Sequence, residues 1–277
     1  MSNKDKLIID RQKITIADLN AKLVKCEEAR SHFISNIRNE IINPFASIQG
    51  LGKIIIKSKK EEWEKVISIA SMIHKEAFAL DFQLMNVFSA AELESGETKI
   101  DYNNANISDL FVSEIDNYIV LLEKKNIQID LFQNNDTEKY AITDLNKIKV
   151  VFVNVLMNAI NYSSEGSRII VNYSIDDDSF MFSVQDFGVG MSNEDQKRFF
   201  NRFEKANNEI NSLNIGLGLG LSVIAGYVEL FDGSIEIDSE LEKGSLFTIT
   251  IPIPNLNKDE LDIVDSENEF FFDDNIF

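Results

Sequence analysis

Cysteine is nearly absent. Cys26 is the only one in 277 residues, so no internal disulfide and no cysteine-built metal site can form. It is expected to pack at a helix seam. Positive charge is also scarce: 27 Lys and Arg stand against 46 Asp and Glu, a formal net charge of -19. A surface of that sign does not release counterions from a phosphate backbone or hold an anionic membrane, so nucleic acid is not expected as a ligand. Long apolar runs are missing, and the N-terminal MSNKDKLIIDRQK has neither an extended apolar core nor a small-residue cleavage site. Neither a membrane span nor a secretion signal is expected, and the reading is a cytoplasmic protein.

What is present suffices for a real core. The chain is 44% hydrophobic and long enough for two domains. From Ile16 the apolar positions step by threes and fours through Leu19, Leu23, Cys26, Phe33 and Ile37, with Arg30 the one polar interruption and no proline before Pro44. One long helix is expected over residues 16–57. On a helical wheel Phe33, Ile37, Ile41, Phe45 and Ile48 share one face, and Asn39 and Asn43 lie opposite. Pro44 lacks an amide donor, which predicts a local kink. The charged turn KSKKEE, 57–62, precedes a second helix. Its stripe runs through Trp63, Val66, Ala70, Ile73, Ala77, Leu80, Leu84, Val87 and Ala91. Two such helices form a hairpin whose apolar stripe is too long to cover itself, and a homodimeric four-helix bundle covers it. The parallel dimer is expected through residues 16–92, centred on Ile37, Ile41, Ile73, Leu80 and Leu84.

The period changes after the linker-like Glu94-Ser95-Gly96-Glu97. Ser108 is expected to cap a helix reaching about Lys125, with a strand from Ile127 to Phe132. A helix from Leu145 to Tyr162 follows, then strands at Arg168–Ser174 and Ser179–Gln185 around the acidic turn Asp176-Asp177-Asp178. A helix after the glycines near Gly220 and strands at Ser234–Asp238 and Leu246–Ile251 complete a mixed, largely antiparallel region. The fold class is α+β: a helical hairpin forming a dimeric bundle, then a two-layer α/β sandwich. The expected divisions are an N-terminal coiled-coil or signalling helix at 1–30, the hairpin at 31–96, the sandwich at 97–254 and an acidic tail at 255–277. The charge of the tail predicts disorder, although its closing FFFDDNIF could dock.

Three motifs in the second region carry chemistry. Asn154, Asn158 and Tyr162 recur one helical turn apart, so two carboxamides and a ring project from one edge. An amide oxygen can bind a hard cation such as magnesium; the plainer reading is surface asparagines beside a core tyrosine. Asp186-Phe187-Gly188-Val189-Gly190 ends a strand, where glycines permit close backbone approach and a carboxylate can accept a hydrogen bond from an exocyclic amine. It could equally be a strand-ending turn. Gly216-Leu217-Gly218-Leu219-Gly220-Leu221 opens a helix whose free amides favour phosphate. One such turn alone is weak; three in this order, roughly 25 to 30 residues apart, point to a nucleotide site.

These motifs resemble those of the sensor histidine kinases. Asn158-Ala159 is similar to the N box, DFGVG to the first glycine box, RFFNRFEKAN to the phenylalanine box, GLGLGL to the second glycine box and KGSLFTITIP to the closing strand. The resemblance covers residues 100–254. It implies the Bergerat-type ATP-binding fold that DNA gyrase, the Hsp90 chaperones and MutL share, with ATP and Mg²⁺ as cofactors. By resemblance Asn158 would bind Mg²⁺, with Asn154 one turn before it in the same helix. Asp186 would take the adenine amine and Tyr162 the ring region. Gly188, Gly190, Gly216, Gly218 and Gly220 would serve the lid and phosphates, and Lys205 would reach towards the phosphates.

The hairpin resembles the dimerisation and phosphotransfer domain of the same family. In FISNIRNEIINP, Glu40, Asn43 and Pro44 match the motif in which a histidine is followed by an acid and then, three residues later, by threonine or asparagine before proline. Asn39 stands at the histidine position. An acceptor must offer a nitrogen lone pair, and a carboxamide nitrogen is only a donor, so Asn39 cannot replace imidazole as nucleophile. Asn161 departs too, standing where the family often has Lys or Arg, which weakens electrostatic stabilisation of a transferring phosphate. His32, one heptad before Asn39 but lacking a following acid, and His74 on the second helix read as surface or structural residues. Three classes follow: a kinase homologue without autokinase activity that engages a receiver domain or another histidine kinase; a phosphatase in which Asn43 orients water towards a receiver's aspartyl phosphate; and a kinase with a substituted or displaced acceptor.

Overall fold

The computed structural model describes residues 41–96, 98–134, 140–196, 219–256 and 263–264. They divide into two compact units. Residues 41–88 lie in the first; those from 89 onward, apart from Leu219, lie in the second.

The first unit is helical. Helix α1 occupies residues 41–57 and continues across Pro44. The expected six-residue turn is shorter: Lys57 is still helical, and Lys60–Glu62 form a 3-10 turn that leads directly into α2, Trp63–Ser95. The Glu62 carboxylate accepts from the Lys59 amide at 2.9 Å, satisfying a donor that the new helix leaves free. Along α2 the expected stripe is only partly covered. Val66, Ile73, Leu80, Leu84 and Val87 are half-buried, whereas Ala70, Ala77 and Trp63 are exposed, and Ile69, outside that stripe, is buried. Phe45, assigned to a packing face, is also exposed. Cys26, His32, Asn39 and Glu40 lie outside the described residues. Among those described, no helix is long and apolar enough to cross a membrane.

The second unit includes the last turns of α2, from Ser89. The helix runs through Ser95 and stops at Gly96, whose φ of +66° suits a residue without Cβ. Strand β1, Asn103–Asn106, was not foreseen. Nor was β3, Tyr140–Thr143, its antiparallel neighbour. Because β1 delivers the chain in extended conformation, Asn106 and not Ser108 is the cap, its side chain accepting from the Asp109 amide at 3.2 Å. The expected single helix is two: α3, Ile107–Asn117, and α4, Ile119–Lys124, meeting at the buried Tyr118. Then come β2 (Gln128–Gln133), α5 (Leu145–Tyr162), β4 (Arg168–Ile175), β5 (Ser179–Asp186), α6 (Leu219–Leu230), β6 (Ser234–Glu240) and β7 (Gly244–Pro252). Last is β8, Ile263–Val264, which pairs in parallel with β1, so this piece of the acidic tail is ordered against the domain.

The main sheet has the order β2-β4-β5-β7-β6, antiparallel except for β2 with β4. Its buried face is set by alternation. Phe180, Phe182, Val184 and Asp186 of β5 point inward, as do Ile169, Val171 and Tyr173 of β4. Phe111 of α3 and Phe152 of α5 close on this face, their ring centroids 4.3 Å apart, with Phe111 also edge-on to Phe182 at 5.5 Å. Helices on one face of a five-stranded sheet make the expected two-layer sandwich. The same alternation that buries the phenylalanines carries Asp186 into the interior at the end of β5.

Candidate nucleotide site

Helix α5 supplies one wall. Asp144 caps its start, accepting from the Lys147 amide at 3.1 Å. Its far end is held by Lys125, whose Nζ donates to the carbonyls of Ile160, Asn161 and Ser163 at 2.7, 3.0 and 3.4 Å. A cation on the orphan carbonyls of a helix end is favourable by both hydrogen bonding and the helix dipole. Between the ends, the three residues read as one edge are separated by environment. Asn154 is 1% exposed; its Nδ2 donates to the Val150 carbonyl at 2.8 Å, and its Oδ1 abuts Gly220 so closely that a Cβ there would lie 2.2 Å away. Its carboxamide is engaged in the contact between α5 and α6. Asn158 is half-buried, and Tyr162 is 58% exposed. The plainer reading, surface asparagines beside a core tyrosine, is thus inverted at its first and last positions.

The turn after β5 packs against the end of α5. Asp186 is 5% exposed, and its Oδ1 accepts from the Gly188 amide at 2.9 Å. The backbone and side chain of Ser245, its cross-strand partner on β7, also donate to the carboxylate. Burial pushes the Asp186 carboxyl above its ordinary range, and the Gly188 and Ser245 hydrogen bonds oppose that rise. The glycines are required by proximity. A Cβ on Gly188 would lie 2.0 Å from the Tyr162 carbonyl oxygen, and one on Gly190, at φ +64°, equally close to that of Glu240. Two bonds knit the turn to both neighbours: Val189 N to Tyr162 O at 3.2 Å, and Glu242 N to Val189 O at 2.8 Å. Ser239 and Gln196 extend this framework, with the Met191 amide donating to Ser239 Oγ at 2.8 Å and Gln196 Nε2 to the Ser239 carbonyl at 2.6 Å.

The structure therefore brings Asp186, Gly188 and Tyr162 together, and sets Asn154 against Gly220 at the start of α6. Phe187 and Val189 stay exposed beside the turn, the Phe187 ring lying 5.4 Å from the Arg168 guanidinium. Lys205, Gly216 and Gly218 lie outside the described residues. Asn43 is exposed on α1 in the other unit, and His74 is exposed on α2 with its ring 6.5 Å from that of Phe78. Lys125 and Ser245 were missed by sequence reasoning. Nothing local marks either one, since each acts on a partner brought close by sheet register.

A sandwich with a buried, clamped carboxylate at a strand end and a glycine-opened helix defines a class of ATPase fold. Residues 143–255 match the family model of the histidine kinase-, DNA gyrase B- and HSP90-like ATPases. Over most of its length the chain is similar to sensor histidine kinases. It is 26% identical to the sensor histidine kinase GacS of Pseudomonas protegens, over 92% of this chain and 28% of that protein. It is 30% identical to the heme sensor protein HssS of Staphylococcus saprophyticus, over 84% of this chain and 48% of that one. The chain thus spans about a quarter to a half of the length of these two relatives. Among solved structures, the Acinetobacter baumannii histidine kinase AdeS superposes with a TM-score of 0.52 at 18% identity, covering 78% of this chain and 98% of that one. ShkA, solved full-length with AMPPNP, superposes at 0.55 and 17% identity over 83% of this chain and 45% of its own. Both likenesses concern the fold.

Proposed function

We propose that this chain is a histidine-kinase-like two-component signalling protein: its second unit binds ATP with Mg²⁺, and its hairpin forms a homodimer that engages a response-regulator receiver domain or another histidine kinase. It lacks autokinase activity because Asn39 occupies the acceptor position. The observation that carries the nucleotide reading is the Asp186 carboxylate, buried and held by Gly188 and Ser245 beside an exposed tyrosine. A carboxylate so placed is desolvated before a ligand arrives, and an exocyclic amine offers the donor it needs. Tyr162 offers an open ring face for stacking. Asn158, half-buried one turn earlier, presents an amide oxygen that suits a hard cation keeping waters and phosphate as its other ligands. Magnesium would supply charge neutralisation at the phosphates; Asn158 would hold it, and the amides opening α6 would face the phosphates.

A second reading rests on Asn43, exposed on α1 beside the buried Pro44. A carboxamide there can orient water towards an aspartyl phosphate carried by a docked receiver, which needs geometry and no imidazole. One incubation with labelled Mg-ATP, with and without phosphorylated receiver domains, separates these readings. The wild-type chain is expected to carry no acid-labile phosphoryl group, and Asn39→His a trace, with Glu40 acting as base. Receiver dephosphorylation, where it occurs, should survive Asn39→Ala and disappear in Asn43→Ala. Phosphohistidine mapped to His32 or His74 of the unmodified protein would overturn the assignment in favour of a kinase with a displaced acceptor.

A further inference from the structure

A second polar cluster lies in the same unit, built by α2, α5 and α6. The Tyr227 hydroxyl of α6 donates to Glu92 Oε2 at 2.7 Å and is also hydrogen-bonded to the side chain of Ser89. Lys147, in the first turn of α5, is 3.4 Å from Glu92 Oε1 and 2.9 Å from Asp144, with its ammonium 5.8 Å from the Tyr227 ring centroid. Tyr227 is 2% exposed and Ser89 4%. Gly226 of α6 packs closely against Leu93 of α2: a Cβ there would lie 2.6 Å from Leu93 Cδ1.

The placement of this cluster relative to the nucleotide site is regular. Helices α5 and α6 approach each other at two rungs, the Lys147 ammonium over the Tyr227 ring and Asn154 against Gly220. Each helix advances seven residues between the rungs, about 10 Å, and in opposite directions. The second rung is the edge of the nucleotide site; the first is the cluster. Glu92, in the last turns of α2, reaches both helices at the first rung, through the Tyr227 hydroxyl and the Lys147 ammonium.

We infer that Tyr227 and Glu92 are positioning residues for the nucleotide site: their hydrogen bond sets the register of α6 against α5, and so the place of Gly220 beside Asn154. Binding at Gly220 and the fixing of Ser89–Ser95 are then two faces of one equilibrium, and each must favour the other by the same factor. This inference rests on the nucleotide reading above.

The test combines calorimetry with ADP and Mg²⁺ and amide hydrogen exchange on the full chain. In the wild type, nucleotide should slow exchange at Ser89–Ser95. Tyr227→Phe keeps the ring and removes only the hydroxyl; it should abolish that slowing and weaken ADP binding about fivefold, the low end of typical coupling. Glu92→Ala should do the same, while Glu92→Gln, which retains an acceptor for the hydroxyl, should stay within twofold of the wild type. Glu92 has a side chain 43% exposed, so its variants guard against a Tyr227→Phe protein that does not fold. A wild type that binds no nucleotide would sink the functional reading. ADP binding with unchanged exchange at Ser89–Ser95, and unchanged affinity in Tyr227→Phe and Glu92→Ala, would overturn only this inference.

Discussion

Gly188→Ala is the sharpest perturbation of the site, because the three nearest atoms its methyl group would meet are all backbone. The added carbon would lie 2.0 Å from the Tyr162 oxygen, 2.6 Å from its carbonyl carbon and 3.0 Å from Ser163 Cα. A flexible side chain could step aside; the end of α5, tied down by Lys125, cannot. The turn must therefore lift away by an ångström or more. That breaks the bond from Val189 N to Tyr162 O and the one from Gly188 N to Asp186 Oδ1, at 3.2 and 2.9 Å. Two hydrogen bonds at about 1 kcal/mol each, with about 1 to 3 kcal/mol for the forced packing, give a destabilisation of about 3 to 5 kcal/mol. For a domain of this size the melting temperature should drop by roughly 6 to 20 °C. Calorimetric melting with and without ADP is the assay. The loss should be accompanied by a loss of nucleotide binding, since Asp186 is released with the turn. A variant that melts within a degree or two of the wild type would show that the close approach of turn and helix is wrong.

Asp186 should leave a signature in pH. Its folded pKa is raised above the ordinary 3.8, so its contribution to stability is fully present below that value and is lost as pH rises through the folded value. The stability of the wild type relative to Asp186→Asn should fall over that window in urea titrations; a difference flat with pH refutes the burial argument, and ADP binding to Asp186→Asn should be much weakened. Lys125→Met removes three hydrogen bonds from the end of α5 and should cost about 1 to 2 kcal/mol by denaturant titration, with Lys125→Arg recovering part of it. Equal midpoints for all three proteins would count against that cap. Leu80→Asp places a charge on the half-buried stripe of α2, where each leucine is worth roughly 1.5 to 3 kcal/mol, and should convert a dimer to a monomer in light scattering. A wild-type monomer at micromolar concentration would remove the dimer from the proposal.

Local chemistry by itself determined a good deal. Helix α5 begins and ends where its sequence pattern says it should, at Leu145 and Tyr162. The alternation of β5 put Asp186 in phase with Phe180, Phe182 and Val184, so its burial was written in the strand. Such features are encoded within one turn or a few strand residues, a range over which neighbours in sequence are neighbours in space. Tertiary structure decided the rest. Asn106 became a cap because β1 paired with β3 and delivered it in extended conformation; Asn154 became a packing residue because α6 set Gly220 against it; Ser245 reached Asp186 because β5 and β7 took one register. Glu92 and Tyr227 stand 135 residues apart, and no period or cap in either segment specifies the other. Contacts of that range are fixed only when sheet register and helix packing are satisfied together, since only the packed core determines which polar groups lose water and must find one another.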